Sequence, residues 1–184
     1  MGCGRMEKNY RVTTFVMDSG ERYCMVVDRA TGLPMYYPTL FLTTQIRNRG
    51  NAFSTTLAAA NNLVLLLRFV DRRGINLEQR FLNKDFFKPH ELDDLRDFAQ
   101  CKQGKKPLMV PSKPWLEDAT INTVDNGTQH SRLTTFANYL RWYAMHILKT
   151  PELEVVEQIN AMAEQTKMRR PSKKGRNSDL QDRS

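Results

Sequence analysis

The chain has 184 residues and a formal net charge of +8, with 40% apolar and 26% charged residues. That is enough for one ordinary domain with a sizeable core, and it excludes a disordered polymer and a chain built mainly of membrane spans. A basic, mostly globular chain remains.

Residues 10–17 alternate β-branched and aromatic side chains, Asp18-Ser19-Gly20-Glu21 reads as a turn, and residues 23–27 form a second β-type run, so the pattern predicts a hairpin. An isolated hairpin is marginal in water, so this one must pack on something larger. Gly32, Pro34 and Pro38 then break the chain before a short run over 41–44. After Gly50, Phe53, Leu57, Ala60, Val64 and Leu67 follow steps of four and three, and Leu63, Leu66 and Val70 widen the stripe, which predicts a helix buried on more than one side. Asp71-Arg72-Arg73-Gly74 ends it, with the glycine just past the last turn and the arginines at the negative end of the macrodipole. Pro89 opens a short helix with Leu92, Leu95 and Phe98 as its apolar positions. Lys102, Gly104, Lys105 and Lys106 with the prolines at 107, 111 and 114 lead out of it into a loop.

Residues 112–129 carry little periodicity, and Asn126-Gly127 reads as a turn. A third helix is predicted over 131–148, with Leu133, Phe136, Ala137, Leu140, Ala144 and Ile147 on one face. Thr150 is the expected cap of a fourth, with Pro151 at its first position and Glu152 and Glu154 at its positive end. Val155, Ile159, Met162 and Thr166 supply its inner face, and Lys167, Arg169 and Arg170 its negative end before Pro171. The last fourteen residues have no core-forming pattern and read as a basic linker or tail.

Three cysteines without a CxxC pair and three histidines without HxxxH or HExxH spacing give no disulfide framework and no zinc site. The most apolar stretch, residues 57–70, is interrupted by Asn61, Asn62 and Arg68, short of the roughly 20 apolar residues that cross a bilayer. No apolar signal segment follows the start, and Met6 stands where a myristoylation signal has Ser or Thr. A reducing cytoplasm is the expected compartment. No metal, cofactor, membrane or small-molecule substrate is expected.

The charge is concentrated. Residues 167–184 carry +5 of the total of +8. A second cluster, Arg47, Arg49, Arg68, Arg72 and Arg73, faces only Asp71, and a third, Arg132, Arg141 and Lys149, has no acidic counterpart within 131–149. Acid collects instead at Glu91, Asp93, Asp94 and Asp97 and at Glu152, Glu154 and Glu157. Segregation of this kind points to a face that meets a polyanion, most often nucleic acid, the alternative being a solvated surface with chance clustering.

Neither a phosphate-cradling glycine loop nor a GxSxG nucleophile elbow is present. Asp93 and Asp94 fit a capping or macrodipole role, and His146 a solvated or packed imidazole, so no active site is expected. On the first long helix Ser54, Asn61, Arg68 and Arg72 keep near one stripe. Ser54, Thr55 and Thr56 crowd its start, where hydroxyls and free backbone N–H groups suit a phosphate oxygen, although a capping cluster on a wet face gives the same pattern. On the third, Arg132, Thr135 and Asn138 fall on the outer half with Tyr139 and Trp142, which read as packing anchors rather than base-stacking platforms.

The run Val27-Asp28-Arg29-Ala30-Thr31-Gly32-Leu33-Pro34, then Tyr37-Pro38-Thr39-Leu40, Thr43-Thr44-Gln45-Ile46-Arg47-Asn48-Arg49 and FVDRRGINL over 69–77 resembles the front end of bacterial site-specific integrases of the tyrosine recombinase family. Arg132-Leu133, Tyr139-Leu140-Arg141-Trp142, Arg169-Arg170-Pro171 and residues 173–177 resemble later parts of the same region. The resemblance implies a mainly α chain: a SAM-like core-binding bundle of about four helices over 51–168, a β-containing extension over 1–50 and a basic linker or tail over 169–184. It also implies that strand cleavage belongs to a separate catalytic half, whose tyrosine nucleophile, arginines and HxxR element have no counterpart here.

The expected function is therefore the DNA-binding portion of a site-specific integrase, engaged in DNA integration and recombination without catalytic residues of its own. Its partners would be double-stranded DNA, with other recombinase subunits on that DNA, at the nucleoid of the cytoplasm. The alternative is a small basic helical module that meets an acidic protein. The expected DNA contacts are Arg47, Arg49, Arg68, Arg72, Arg132 and Arg141, with Ser54, Thr55, Thr56, Asn61, Thr135 and Asn138 as shorter donors and Lys173, Lys174 and Arg176 in the tail.

Overall fold

A computed structural model describes residues 10–102 and 123–172. Strands β1 (Tyr10–Val16) and β2 (Arg22–Asp28) pair antiparallel, in a register that sets Tyr10 opposite Asp28, Val12 opposite Val26 and Thr14 opposite Cys24. Directly opposed residues share a face of the ladder. That face carries Tyr10, Cys24 and Val26 into the core, where they join the buried side chains of the long central helix, as the marginal stability of a lone hairpin requires.

Among the described residues six α-helices follow: α1 (Tyr36–Phe41), α2 (Phe53–Arg72), α3 (Leu77–Leu82), α4 (Pro89–Gln100), α5 (Asn126–Leu148) and α6 (Leu153–Met168). The four long ones match the four expected from periodicity. The two short ones, α1 and α3, were not foreseen, because six residues span less than two turns and leave no repeating stripe. Pro38, expected to break the chain, is the third residue of α1. The first turn's N–H groups have no intrahelical acceptor, so proline costs nothing there. Helix α1 runs on through a π-helical turn (Leu42–Ile46) and a 3-10 turn (Arg47–Arg49), and Gly50 ends it at φ +78°. Thr43 and Thr44 donate back to the carbonyls of Thr39 and Leu40 at 3.0 and 2.8 Å, in competition with the regular backbone ladder.

Helix α2 forms the centre. Its buried residues include Leu63, Val64, Leu65, Leu66, Phe69 and Val70. By length and a mean hydropathy of 1.4 it could cross a membrane, contrary to the expectation from its polar interruptions, but 56% of that window is buried inside the fold. A buried Leu, Val or Phe contributes roughly 1.5–3 kcal/mol, so this burial is a main source of stability. Gly74 at φ +63° closes the helix, with its N–H on the Asp71 carbonyl and the Ile75 N–H on that of Val70 at 2.9 Å, a Schellman arrangement.

Two boundaries differ from the sequence reading. Asn126-Gly127 is the first turn of α5 rather than a loop, because Asp125 caps it by accepting from the Thr128 N–H at 2.9 Å and the Thr128 hydroxyl at 2.8 Å. Thr150 and Pro151 lie ahead of α6, whose cap position is Glu152. Lys149 at φ +58° turns the chain out of α5, and the proline holds Thr150 out of helical geometry. Arg169 and Arg170 do close α6, donating to the carbonyls of Gln165 and Lys167 at 2.8 Å each. Asp93 and Asp94 serve neither cap nor dipole alone: Asp93 accepts from Arg169 at 2.8 Å and Asp94 from Arg73 at 2.8 Å, tying α4 to α6 and α2.

Candidate nucleic-acid interface

The hairpin register sets Arg11, beside Tyr10, and Arg29, just past Asp28, at one end of the ladder. That end packs on the middle of α2 and faces the first half of α5. Between them lies a groove of about 400 Å3 whose walls include Arg11 and Arg29 from the hairpin, Asn61, Asn62 and Arg68 from α2, and Arg132 from α5. No carboxylate belongs to its lining.

Each α2 and α5 member is held by the fold. Arg68 donates through Nη2 to the Tyr10 carbonyl at 3.4 Å, so the hairpin backbone fixes it. Arg132 donates through Nη1 to the carbonyls of Ala99 and Cys101 at 2.7 and 2.9 Å, at the end of α4. These satisfy groups that a helix C-terminus leaves open and attract a cation to the negative end of the dipole. Burial pulls the Arg132 guanidinium below its ordinary pKa, though the group stays cationic at neutral pH. Asn61 donates to the Leu57 carbonyl at 2.9 Å. Asn62 bridges to α5, donating to Thr135 Oγ1 at 3.0 Å and Ser131 Oγ at 3.4 Å.

A guanidinium carries five donors in a planar fork; Arg68 reaches the Tyr10 carbonyl through Nη2, and Arg132 reaches both of its carbonyls through Nη1. Among the described residues no ion pair includes Arg11, Arg29, Arg68 or Arg132. Elsewhere Arg47, Arg73, Arg80, Arg96, Lys167 and Arg169 all face carboxylates. The groove is thus a concentrated positive field with fixed donors, suited to phosphate oxygens.

Of the expected contacts, the structure brings Asn61, Arg68 and Arg132 together, with Thr135 behind them through Asn62. The others scatter. Arg47 is a strut: it pairs with Glu21, its guanidinium lies 3.9 Å from the Tyr23 ring centroid, and its Nε is buried without a hydrogen-bond partner. That pairing lowers the Glu21 pKa. Thr56 is buried, its hydroxyl turned to the Ala52 carbonyl at 3.5 Å, so it offers nothing to solvent. Ser54 and Thr55 are exposed at the start of α2, as expected. Arg49 bonds Gln45 at 3.0 Å, and Arg72 lies over the Phe98 ring at 5.6 Å beside Asp94 and Asp97. Arg141 bonds Asn160 of α6 at 2.7 Å, and Asn138 is exposed on α5. Lys173, Lys174 and Arg176 lie outside the described residues.

The groove also includes Arg11, Arg29 and Asn62, which helix spacing does not single out. The signal lies in the hairpin itself, since an antiparallel register pairing 10 with 28 leaves 11 and 29 as diagonal neighbours on one face. Tyr139 is buried, stacked on Tyr143 with centroids 5.7 Å apart, and Trp142 packs on Phe41 at 5.4 Å, so both are packing anchors. Among the described residues no cluster of His, Cys, Asp and Glu could hold a metal ion. No family model matches the chain, and no curated protein or solved structure matches it either.

Proposed function

We propose that the chain is a DNA-binding unit of the tyrosine recombinase type, its helical part a SAM-like core-binding domain that holds duplex DNA through phosphates and leaves strand cleavage to other residues. The observation that carries this reading is the carboxylate-free groove in which Arg11, Arg29, Arg68 and Arg132 converge from the hairpin and two helices. Arginines delivered by three separate elements hold a fixed spatial pattern, which a flexible basic surface does not. Sequence resemblance to the front end of site-specific integrases points the same way. In this reading the tail residues Lys173, Lys174 and Arg176 add affinity without sequence preference, and other recombinase subunits would join on the DNA.

A competition experiment separates this from a module that meets an acidic protein. Labelled duplex DNA bound to the chain is challenged with unlabelled duplex or with poly-glutamate of equal charge. The reading predicts displacement by duplex at far lower concentration, and an affinity that falls with salt at about −0.9 in log K per log salt for each phosphate contacted. Equal displacement by poly-glutamate would refute it.

A further inference from the structure

Five of the six tyrosines meet around one cavity of about 450 Å3 between α1, the α2–α3 turn and the middle of α5, with Tyr10 contributing from β1. Tyr37 stands edge-on to Tyr143 at 4.9 Å between centroids and to Tyr36 at 5.1 Å, while Tyr139 and Tyr143 stack at 5.7 Å with an interplanar angle of 7°. Asp71 from the last turn of α2, Asn76 at the cap of α3 and Glu78 from its first turn add polar groups to the lining, and neither Lys nor Arg belongs to it. In a chain with 28 Lys and Arg, this is the reverse of the arginine groove.

Tyr10, Tyr139 and Tyr143 stay neutral. Burial, with Asp71 and Asp28 adding to it, pushes the Tyr10 hydroxyl to about 12, and burial likewise raises Tyr139 and Tyr143, the latter helped by the Glu78 charge. The exposed Tyr36 ring and the half-buried Tyr37 ring offer negative π faces, and the exposed Glu78 carboxylate adds charge at the rim. An anion such as a nucleic-acid phosphate is repelled from such a lining. A cation gains cation–π attraction at these two rings and Coulomb attraction at Glu78. The volume lies within the range of small-molecule sites, roughly 300–1,000 Å3.

We propose that this cavity binds an organic cation, a guanidinium or alkylammonium head of small-molecule size, independently of any DNA held in the arginine groove. The head could arrive free or on a peptide, and the experiment separates the two. The full chain is titrated with tetramethylammonium chloride, methylguanidinium chloride and the blocked arginine N-acetyl-arginine methylamide, against sodium chloride at matched ionic strength, while tyrosine ring resonances are followed by NMR. Saturable shifts confined to the rings of Tyr36, Tyr37, Tyr139 and Tyr143 with at least one organic cation, and none with sodium, are expected. Binding of the two free heads with exclusion of the blocked arginine marks a free ligand, and binding of all three marks a peptide side chain. Glu78 and Tyr36 are exposed, so Glu78→Gln and Tyr36→Leu should fold normally. Each is expected to weaken binding by about fivefold. Shifts that fail to saturate, that sodium reproduces, or that persist undiminished in both variants would overturn the proposal.

Discussion

Arg47 and Arg68 look alike in the sequence, each an arginine in a basic cluster, and the fold gives them opposite roles. Arg47 is committed to Glu21 and the Tyr23 ring, whereas Arg68 makes one bond to a backbone carbonyl and faces the groove. Arg47→Ala is expected to destabilise the fold by about 1–2 kcal/mol, through loss of the ring contact and the ion pair, and to leave the salt dependence of DNA binding unchanged; urea melts and a salt titration read both. A second residue-scale prediction concerns acid. Glu91 accepts from both terminal nitrogens of Arg80 at 2.7 and 3.0 Å and from the Lys88 N–H at 2.8 Å. These bonds, the Arg80 pair foremost, hold its pKa below the usual value near 4.5 despite partial burial. A carboxylate lowered on folding contributes stability that is complete above its unfolded pKa and is lost as pH falls through the folded one. Thermal midpoints should therefore drop below about pH 4.5 in the unmodified chain. The drop should be shallower in Glu91→Gln, which starts less stable at pH 7.

At the scale of elements, the long helices and the hairpin were legible because each repeats a pattern over enough residues to show a face. Leu63, Leu66, Phe136, Leu140 and Ile159 are among the fully buried side chains, and all were placed on inner faces by spacing alone. The short helices were not legible, since α3 depends on Asn76 accepting from the Gln79 N–H at 3.1 Å and on Leu77 and Phe81 reaching the core. The start of α5 was hidden for a related reason: Asn126-Gly127 favours a turn, and a single capping carboxylate at Asp125 overrides it. Asp125→Ala should cost about 1 kcal/mol and fray the first turn. Urea denaturation with amide exchange over 126–130 checks this. The candidate groove was half legible. Helix spacing found Asn61, Arg68 and Arg132, but residues from different elements come together only in three dimensions, so nothing on one helix could reveal Arg11 and Arg29.

For the whole molecule, the separation of charge is spatial as well as sequential. Most described carboxylates with an ion-pair partner sit around α4, where Glu91, Asp93, Asp94 and Asp97 engage Arg80, Arg169, Arg73 and Arg96. On the hairpin side the arginine groove is bounded by no carboxylate, and the tyrosine cavity, lined by Asp71 and Glu78, opens between other elements. One fold thus holds an arginine-lined groove and a tyrosine-lined cavity, and the hairpin helps build both, through Arg11 and Arg29 in one and Tyr10 in the other. The most direct measurement compares the slope of log affinity for duplex DNA against log salt in three proteins: the unmodified chain, Arg29→Gln with Arg68→Gln, and Arg73→Gln with Arg96→Gln. Both double variants remove the same charge. The groove variant is predicted to flatten the slope by about 2 while the α4-side variant leaves it nearly unchanged; equal flattening in both, or none in the groove variant, would contradict a groove that grips phosphate.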